Sequence, residues 1–152
     1  MNLFSFIGGW KITDWEPDQQ LEPEGIPFNG VRANDSPLDI AQEPTESSET
    51  VRLDWLNDNG DPCSVSGLHF DPIEQALVGK NLLVSFGTIE VACDFSVTLN
   101  EAVDPKQLTG VISRSGGQID DLGGILVFGP DTGSGTFTAQ ASSGNNTFAR
   151  RP

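Results

Sequence analysis

The chain has 152 residues, which suits one domain, and its 22 acidic residues outnumber 8 basic residues to give a formal net charge of −14. This excess of negative charge argues against binding to nucleic acids or to anionic membranes, because proteins hold both through lysine and arginine. No stretch approaches the roughly 20 consecutive apolar residues of a membrane-spanning helix, and the 17 glycines and 10 prolines favour many short strands and turns.

The sequence opens with a strand pattern over residues 9–15 and continues into an acidic segment, residues 16–49. Between Asp14 and Glu49 there are ten acids, five prolines and one base. This composition excludes a regular strand or a long helix. Several apolar side chains are available to dock the segment on the rest of the domain: Ile26, Phe28, Val31, Leu38 and Ile40. Two interpretations remain, a lid or strap packed on the domain and a disordered acidic linker.

Two short helices are predicted from capping signals. Ser36 followed by Pro37 resembles a helix start, with serine as the N-cap and proline in the first turn, and predicts a helix over 37–41. Asp71-Pro72-Ile73-Glu74 resembles a capping box and predicts a helix over 72–78, which Gly79 would end.

The rest of the sequence has strand patterns. Alternation is strictest over residues 89–100, which predicts one buried and one solvated face. In residues 63–70 the apolar parity changes at Gly67, and a bulge there would explain the change. The other predicted strands are 50–56, 81–86, 108–113, 124–128 and 136–142, with an Asn-Gly hairpin turn at 57–61. Eight antiparallel strands predict an all-β fold, either a sandwich or a barrel.

A resemblance favours the barrel. Gly8-Gly9-Trp10 on the first strand, with Gly135-Thr136-Phe137-Thr138-Ala139 near the end, resembles the calycin group, the lipocalins and avidins. The resemblance implies one eight-stranded antiparallel barrel over residues 1–152, closed at one end by Trp10. It also implies enclosure of a small apolar molecule. It does not extend to the acidic segment 16–49.

Inward-facing aromatic and branched side chains would line such a ligand site. The candidate ligand-binding residues are Trp10, Ile12, Trp15, Phe28, Val51, Leu53, Trp55, Phe95 and Phe137. The alternative is that these side chains form a filled core, because apolar faces mostly pack against each other. A cover over the barrel favours a cavity, since a filled barrel needs none.

Few residues are candidates for catalysis. His69 is the one histidine and could act as a general base, although a structural or surface role is the alternative. Asp14 shares the parity of Trp10, so it would point inward at the barrel rim and could polarise a carbonyl or shuttle a proton. If the strand ends earlier, Asp14 is solvated instead. No metal site and no cofactor are expected, because the metal, phosphate-loop and nucleophile-elbow motifs are absent.

Three functions follow from these observations. The first is a binding barrel for a hydrophobic metabolite, and the second is a cofactor-independent cyclase or isomerase of a natural-product pathway that uses the same cavity. Such an enzyme acts by preorganising its substrate, which can lower a barrier by roughly 7–11 kcal/mol. The third is an acidic inhibitor or immunity-type protein for a basic partner. We expect a cytoplasmic protein with free Cys63 and Cys93, because Met1–Trp15 lacks a signal peptide's basic region. The sequence is also compatible with a homodimer.

Overall fold

The computed structural model describes residues 1–17, 31–43, 49–57, 60–86, 89–120, 125–126 and 134–142, and strands account for most of them. A single 3₁₀ turn, Leu3–Phe6, precedes the first strand. The strands of these ranges are β1 (Gly8–Pro17), β2 (Ser36–Gln42), β3 (Thr50–Leu56), β4 (Pro62–Asp71), β5 (Ala76–Phe86), β6 (Ile89–Asn100), β7 (Gln107–Asp120), β8 (Ile125–Leu126) and β9 (Ser134–Ala141).

Eight of these strands close into a barrel. Strands β1 to β7 each pair with the next strand in sequence, and β9 lies between β7 and β1, so the sheet returns to its starting strand. Every pairing is antiparallel. The two residues of β8 pair only with Gln118 and Ile119 of β7 and extend the wall locally. The prediction of an all-β antiparallel barrel is confirmed.

The two ends of the barrel differ. The Leu3–Phe6 turn leads into β1 at one end, which we call the sealed end, because Phe6 enters the core there and is fully buried. We call the opposite end the loop end. Strand β1 finishes at the loop end with Pro17, and β2 begins near the same end at Ser36, because Ser36 pairs with Ile12.

Alternating side chains build the core from the inner face of the wall. In β6 the buried residues of the alternating set are Val91, Cys93, Phe95, Val97 and Leu99. Ala92 is buried as well, and the residues between Cys93 and Leu99 are more exposed. This matches the predicted alternation. The predicted bulge in β4 is also present, since Arg52 pairs with Ser66 and Val51 pairs with Leu68, while Gly67 adopts φ +94 between them. Glycine tolerates this left-handed conformation without the strain that a side chain would add.

Both predicted helices are wrong. Residues 37–41 lie in strand β2, where Leu38 and Ile40 alternate into the core and pair with β1 and β3. Residues 72–75 form a turn, and Ala76 already belongs to β5. The Asp71 carboxylate accepts hydrogen bonds from the backbone N–H groups of Ile73 and Glu74, as in a capped helix start. Gln75 then adopts φ +55, which ends the turn before a helix can continue.

The set of strands that form the barrel wall also differs from the prediction, because it includes β2. The acidic segment contains a wall strand, so residues 16–49 are not irregular throughout. Within the predicted strand 124–128 the structure describes β8, Ile125–Leu126, which lies outside the eight strands of the barrel. The predicted anchors Ile26 and Phe28 lie outside the described residues. Whether the chain before β2 is a lid therefore stays a prediction.

A glycine allows close packing on the inner face of β7. Gly110 pairs with Phe137, and a Cβ atom added at Gly110 would overlap the Phe137 ring. We expect Gly110→Ala to lower the free energy of unfolding by about 1–3 kcal/mol, because overpacking displaces the ring. Thr109→Ala on the exposed outer face is the matched control and should change it by less than about 0.5 kcal/mol. Urea unfolding of both variants checks this, and equal stabilities would contradict the close contact.

Candidate functional site

Aromatic side chains close the sealed end. The indole N–H of Trp10 donates a hydrogen bond to the carbonyl oxygen of Phe6 at 2.9 Å. The Phe6 ring lies 6.0 Å from the Phe70 ring, centroid to centroid, in a tilted arrangement. Trp10 is itself buried. The Leu3–Phe6 turn is therefore held by a polar bond and by ring packing, which makes this end unsuited to ligand entry.

The half of the barrel nearer the loop end contains a small apolar void. Its lining residues, which we call the loop-end chamber, are Ile12, Val31, Leu38, Leu53, Trp55, Phe95, Ile112 and Phe137. Trp55 and Phe95 pack edge to face within it, with ring centroids 6.2 Å apart. The void has a volume of about 10 Å³, which is at most the space of one water molecule. As seen in the described residues, the chamber is filled by its own side chains.

Val31 differs from the other chamber residues because it is not on a strand. It is the first described residue after residues 18–30, and it is only 2% exposed. The next residue, Arg32, is exposed, and its backbone N–H donates to the carbonyl oxygen of Leu56 at 2.8 Å. Leu56 is the last residue of β3, at the loop end. Val31 therefore enters the barrel from the loop end and plugs the chamber.

One polar side chain faces the chamber end of the interior. Ser36 begins β2 and pairs with Ile12, and directly paired residues of antiparallel strands share a face. Ser36 is 5% exposed, and its hydroxyl has no hydrogen-bond partner among the described residues. A buried hydroxyl without a partner costs free energy.

The predicted ligand-binding residues separate into three groups. Five of them line the chamber together: Ile12, Leu53, Trp55, Phe95 and Phe137. Trp10 and Val51 are buried nearer the sealed end. Trp15 lies at the loop end, where its ring covers the position that a Cβ atom of Gly135 would occupy. Phe28 lies outside the described residues.

Asp14 does not point into the barrel, contrary to the expectation from parity. The register of β1 against β9 shifts between Ile12 and Asp14, so Asp14 pairs with Thr138 and Trp15 pairs with inward-facing Phe137. The bulge exchanges the two faces, and Asp14 is exposed. The sequence carries no glycine at this bulge to indicate it.

His69 lies on the outer wall. It is exposed on β4 and borders a groove of about 470 Å³ that crosses β4 to β7. The groove is lined by the charged side chains of Asp71, Glu74, Lys80 and Asp94 and also by apolar residues that include Val78, Phe95 and Val111. The structure does not bring His69 and Asp14 together, because they lie on the outer faces of strands β4 and β1, which are not neighbours. Neither side chain reaches the chamber.

The two cysteine thiols are buried, and neither forms a disulfide bond. Desolvation by burial raises the pKa of the Cys63 thiol to about 12. The folded protein therefore keeps this thiol neutral and unreactive at neutral pH, since the thiolate is the nucleophile. The described inner face thus carries neutral groups, and it offers no ionised nucleophile at Cys63.

The raised pKa predicts a loss of stability at high pH. In the unfolded chain the Cys63 thiol ionises near its ordinary value of 9.0, whereas the folded thiol stays protonated to about 12. The folded state binds the extra proton between these values, so stability falls as pH rises through that window, by up to about 1.4 kcal/mol per pH unit. Urea unfolding from pH 8 to pH 11 should show this decline reduced in Cys63→Ala. An equal decline in both proteins would contradict it.

Three chamber residues were not predicted as ligand contacts: Val31, Leu38 and Ile112. Val31 and Leu38 are apolar residues of the acidic segment, where sequence patterns indicate docking but not a position. Ile112 could have been found, because Leu108, Gly110 and Ile112 alternate along the predicted strand 108–113. Ser36 was interpreted as a helix cap, so its position on the inner face of a strand was not predicted.

The described ranges contain neither a metal-binding cluster nor a membrane-spanning helix. Within the ranges that the structure describes, no group of three or more histidine, cysteine, aspartate or glutamate side chains could hold a metal ion. Across those same ranges, no helix has the length and apolar character needed to cross a bilayer. No protein-family model, no curated protein and no solved structure matches this chain.

Proposed function

We propose that the barrel binds a small hydrophobic molecule in the loop-end chamber, and that the chain between β1 and β2 covers the bound molecule. The observation that carries this proposal is Val31. It fills an apolar site between Trp55 and Phe137 without belonging to the wall. A wall residue cannot leave without breaking strand pairs, whereas Val31 can.

The volume requires that Val31 leaves. Small-molecule sites usually measure about 300–1,000 Å³, and the described chamber leaves about 10 Å³. A ligand would therefore take the place of Val31 and extend from Trp55 toward the loop end. The sealed end stays shut, because Phe6 and Trp10 are bonded and packed there.

The energetic cost of opening is moderate. Withdrawing one valine from the core costs roughly 1.5–3 kcal/mol. A ligand that buries more apolar area than Val31 offsets this cost and binds with a net gain.

A second candidate function uses the same chamber for catalysis. The described chamber residues are all apolar, so they offer no acid, base or nucleophile. A reaction that needs only a folded substrate suits such a site, and an intramolecular cycloaddition is of this type. The resemblance to calycins accords with both functions, since it implies an enclosed apolar molecule.

Fluorescence titration with N-phenyl-1-naphthylamine, a neutral apolar probe, tests the binding proposal. We expect saturable binding at one site, with tighter binding by Val31→Ala because the plug is smaller. Val103→Ala, in the exposed β6–β7 connection, is the matched control and should bind like the wild type. Val111→Asp alters the outer groove and should also leave binding unchanged. Absence of saturable binding by both the wild type and Val31→Ala would overturn the proposal.

The catalytic candidate needs a separate measurement. A linear substrate that carries a conjugated diene and an alkene cyclises slowly in water to a racemic product. Catalysis in the chamber should give a faster reaction and one predominant enantiomer, because the chiral wall fixes the fold of the chain. A racemic product formed at the uncatalysed rate would contradict catalysis and leave ligand binding as the proposed function.

A further inference from the structure

We infer that the molecule bound in the loop-end chamber carries one neutral oxygen, a carbonyl or a hydroxyl, that hydrogen-bonds to Ser36. This inference rests on the proposed function and specifies its ligand class. The ligand is then mostly apolar with a single polar group, in contrast to a pure hydrocarbon and to an ionised acid.

The position of Ser36 follows from the register of β1 and β2. Trp10 pairs with Leu38 and Ile12 pairs with Ser36, without a shift between these pairs. Leu38 and Ile12 both line the chamber, so Ser36 lies on the same inner face. It is two residues before Leu38 along β2, which places it closer to the loop end. A molecule that replaces Val31 would extend past this position.

The buried hydroxyl of Ser36 lowers the stability of the folded protein. It is 95% removed from solvent, since the residue is 5% exposed, and no described residue bonds to its Oγ atom. Two other buried polar side chains are bonded: the Asn57 side-chain oxygen accepts from the Asp61 N–H at 2.9 Å, and the Asp54 carboxylate accepts from both Arg52 Nε and Nη2 at 2.9 Å. An alanine at 36 would avoid the cost, so a bonding partner that the described residues do not supply explains the serine best.

The backbone before Ser36 turns sharply. Asn34 and Asp35 adopt φ +65 and φ +62, in the left-handed region that asparagine and aspartate tolerate better than most residues. Only four residues separate Val31 from Ser36, and this turn allows both side chains to lie at the same end of the interior. When Val31 withdraws, the oxygen-bearing end of a ligand can face the Ser36 hydroxyl.

Thermal unfolding of the ligand-free protein gives the first test. Ser36→Ala removes a buried donor and acceptor that has no partner, so we expect its Tm to rise by about 2–6 °C. Ser66→Ala, at an exposed position of β4, is the matched control and should leave Tm unchanged. A Tm for Ser36→Ala equal to or below that of the wild type would show that the hydroxyl is already satisfied, and this would overturn the inference.

The second test uses two probes of similar size, 2-acetylnaphthalene, which has a carbonyl, and 2-ethylnaphthalene, which has none. The quantity measured is the ratio of their dissociation constants in each protein. We expect Ser36→Ala to shift the ratio about three- to tenfold against the carbonyl probe, and Ser66→Ala to leave it unchanged. Binding of both probes with an unshifted ratio would overturn this inference alone. Binding of neither probe, by the wild type or by Val31→Ala, would overturn the proposed function and this inference together.

Discussion

Replacing Val31 with aspartate should open the chamber while the wall of the barrel stays folded. The native side chain is 2% exposed among apolar residues, and an unpaired carboxylate there would lose several kcal/mol of solvation. The segment therefore leaves the interior in the variant. The wall persists, because the ladder of β2 begins at Ser36 and does not use residue 31.

We expect Val31→Asp to bind N-phenyl-1-naphthylamine at least about tenfold faster than the wild type, because the wild type must first spend the free energy of opening. Stopped-flow fluorescence measures this rate. The free energy of unfolding should fall only by the lost burial of valine, roughly 1.5–3 kcal/mol. Val103→Asp adds the same charge at a 41% exposed position and should change neither quantity. An unchanged association rate in Val31→Asp would show that Val31 does not control entry.

Replacing Phe6 with alanine should cause the largest loss of stability, about 3–5 kcal/mol. The Phe6 side chain is fully buried at the sealed end and packs against Phe70, so its removal leaves a cavity that the Trp10–Phe6 backbone bond holds open. Phe4 lies in the same 3₁₀ turn but is 62% exposed. Phe4→Ala is therefore a matched control, with an expected loss below about 0.5 kcal/mol.

Urea unfolding followed by tryptophan fluorescence compares the two variants. Equal stabilities for Phe6→Ala and Phe4→Ala would contradict the account of the sealed end. The probe association rate provides a second comparison. Phe6→Ala should not raise it as Val31→Asp does, since we propose that ligands enter from the other end of the barrel.

The barrel could be predicted because its strongest signals are local. Residues 89–100 alternate without interruption, and Gly67 marks the bulge of β4 with a residue that accepts positive φ. The corresponding bulge of β1, between Ile12 and Asp14, has no glycine, so the sequence pattern assigned Asp14 to the wrong face. A bulge formed by ordinary residues is set by the partner strand and cannot be identified from one strand alone.

Strand β2 was missed for a related reason. Ser36 and Pro37 are a favourable helix start locally, but β2 gains pairing with two strands and buries Leu38 and Ile40. Such non-local contacts outweigh capping, which contributes about 1 kcal/mol. Five of the six chamber residues on predicted strands were identified correctly as inward-facing, and Ile112 was not. The plug, Val31, was not identified, because it lines the void together with residues of β3, β6 and β9, and no local pattern encodes such an arrangement.

Nuclear Overhauser contacts between bound N-phenyl-1-naphthylamine and the methyl groups of β7 test the central claim most directly. Ile112 faces the chamber and its neighbour Val111 faces the outer groove, so adjacent residues report the two sites separately. We predict contacts from the probe to Ile112 and Leu53, together with loss of the contacts between Val31 and Trp55. Contacts to Val111 alone, with Val31 still against Trp55, would contradict binding inside the barrel.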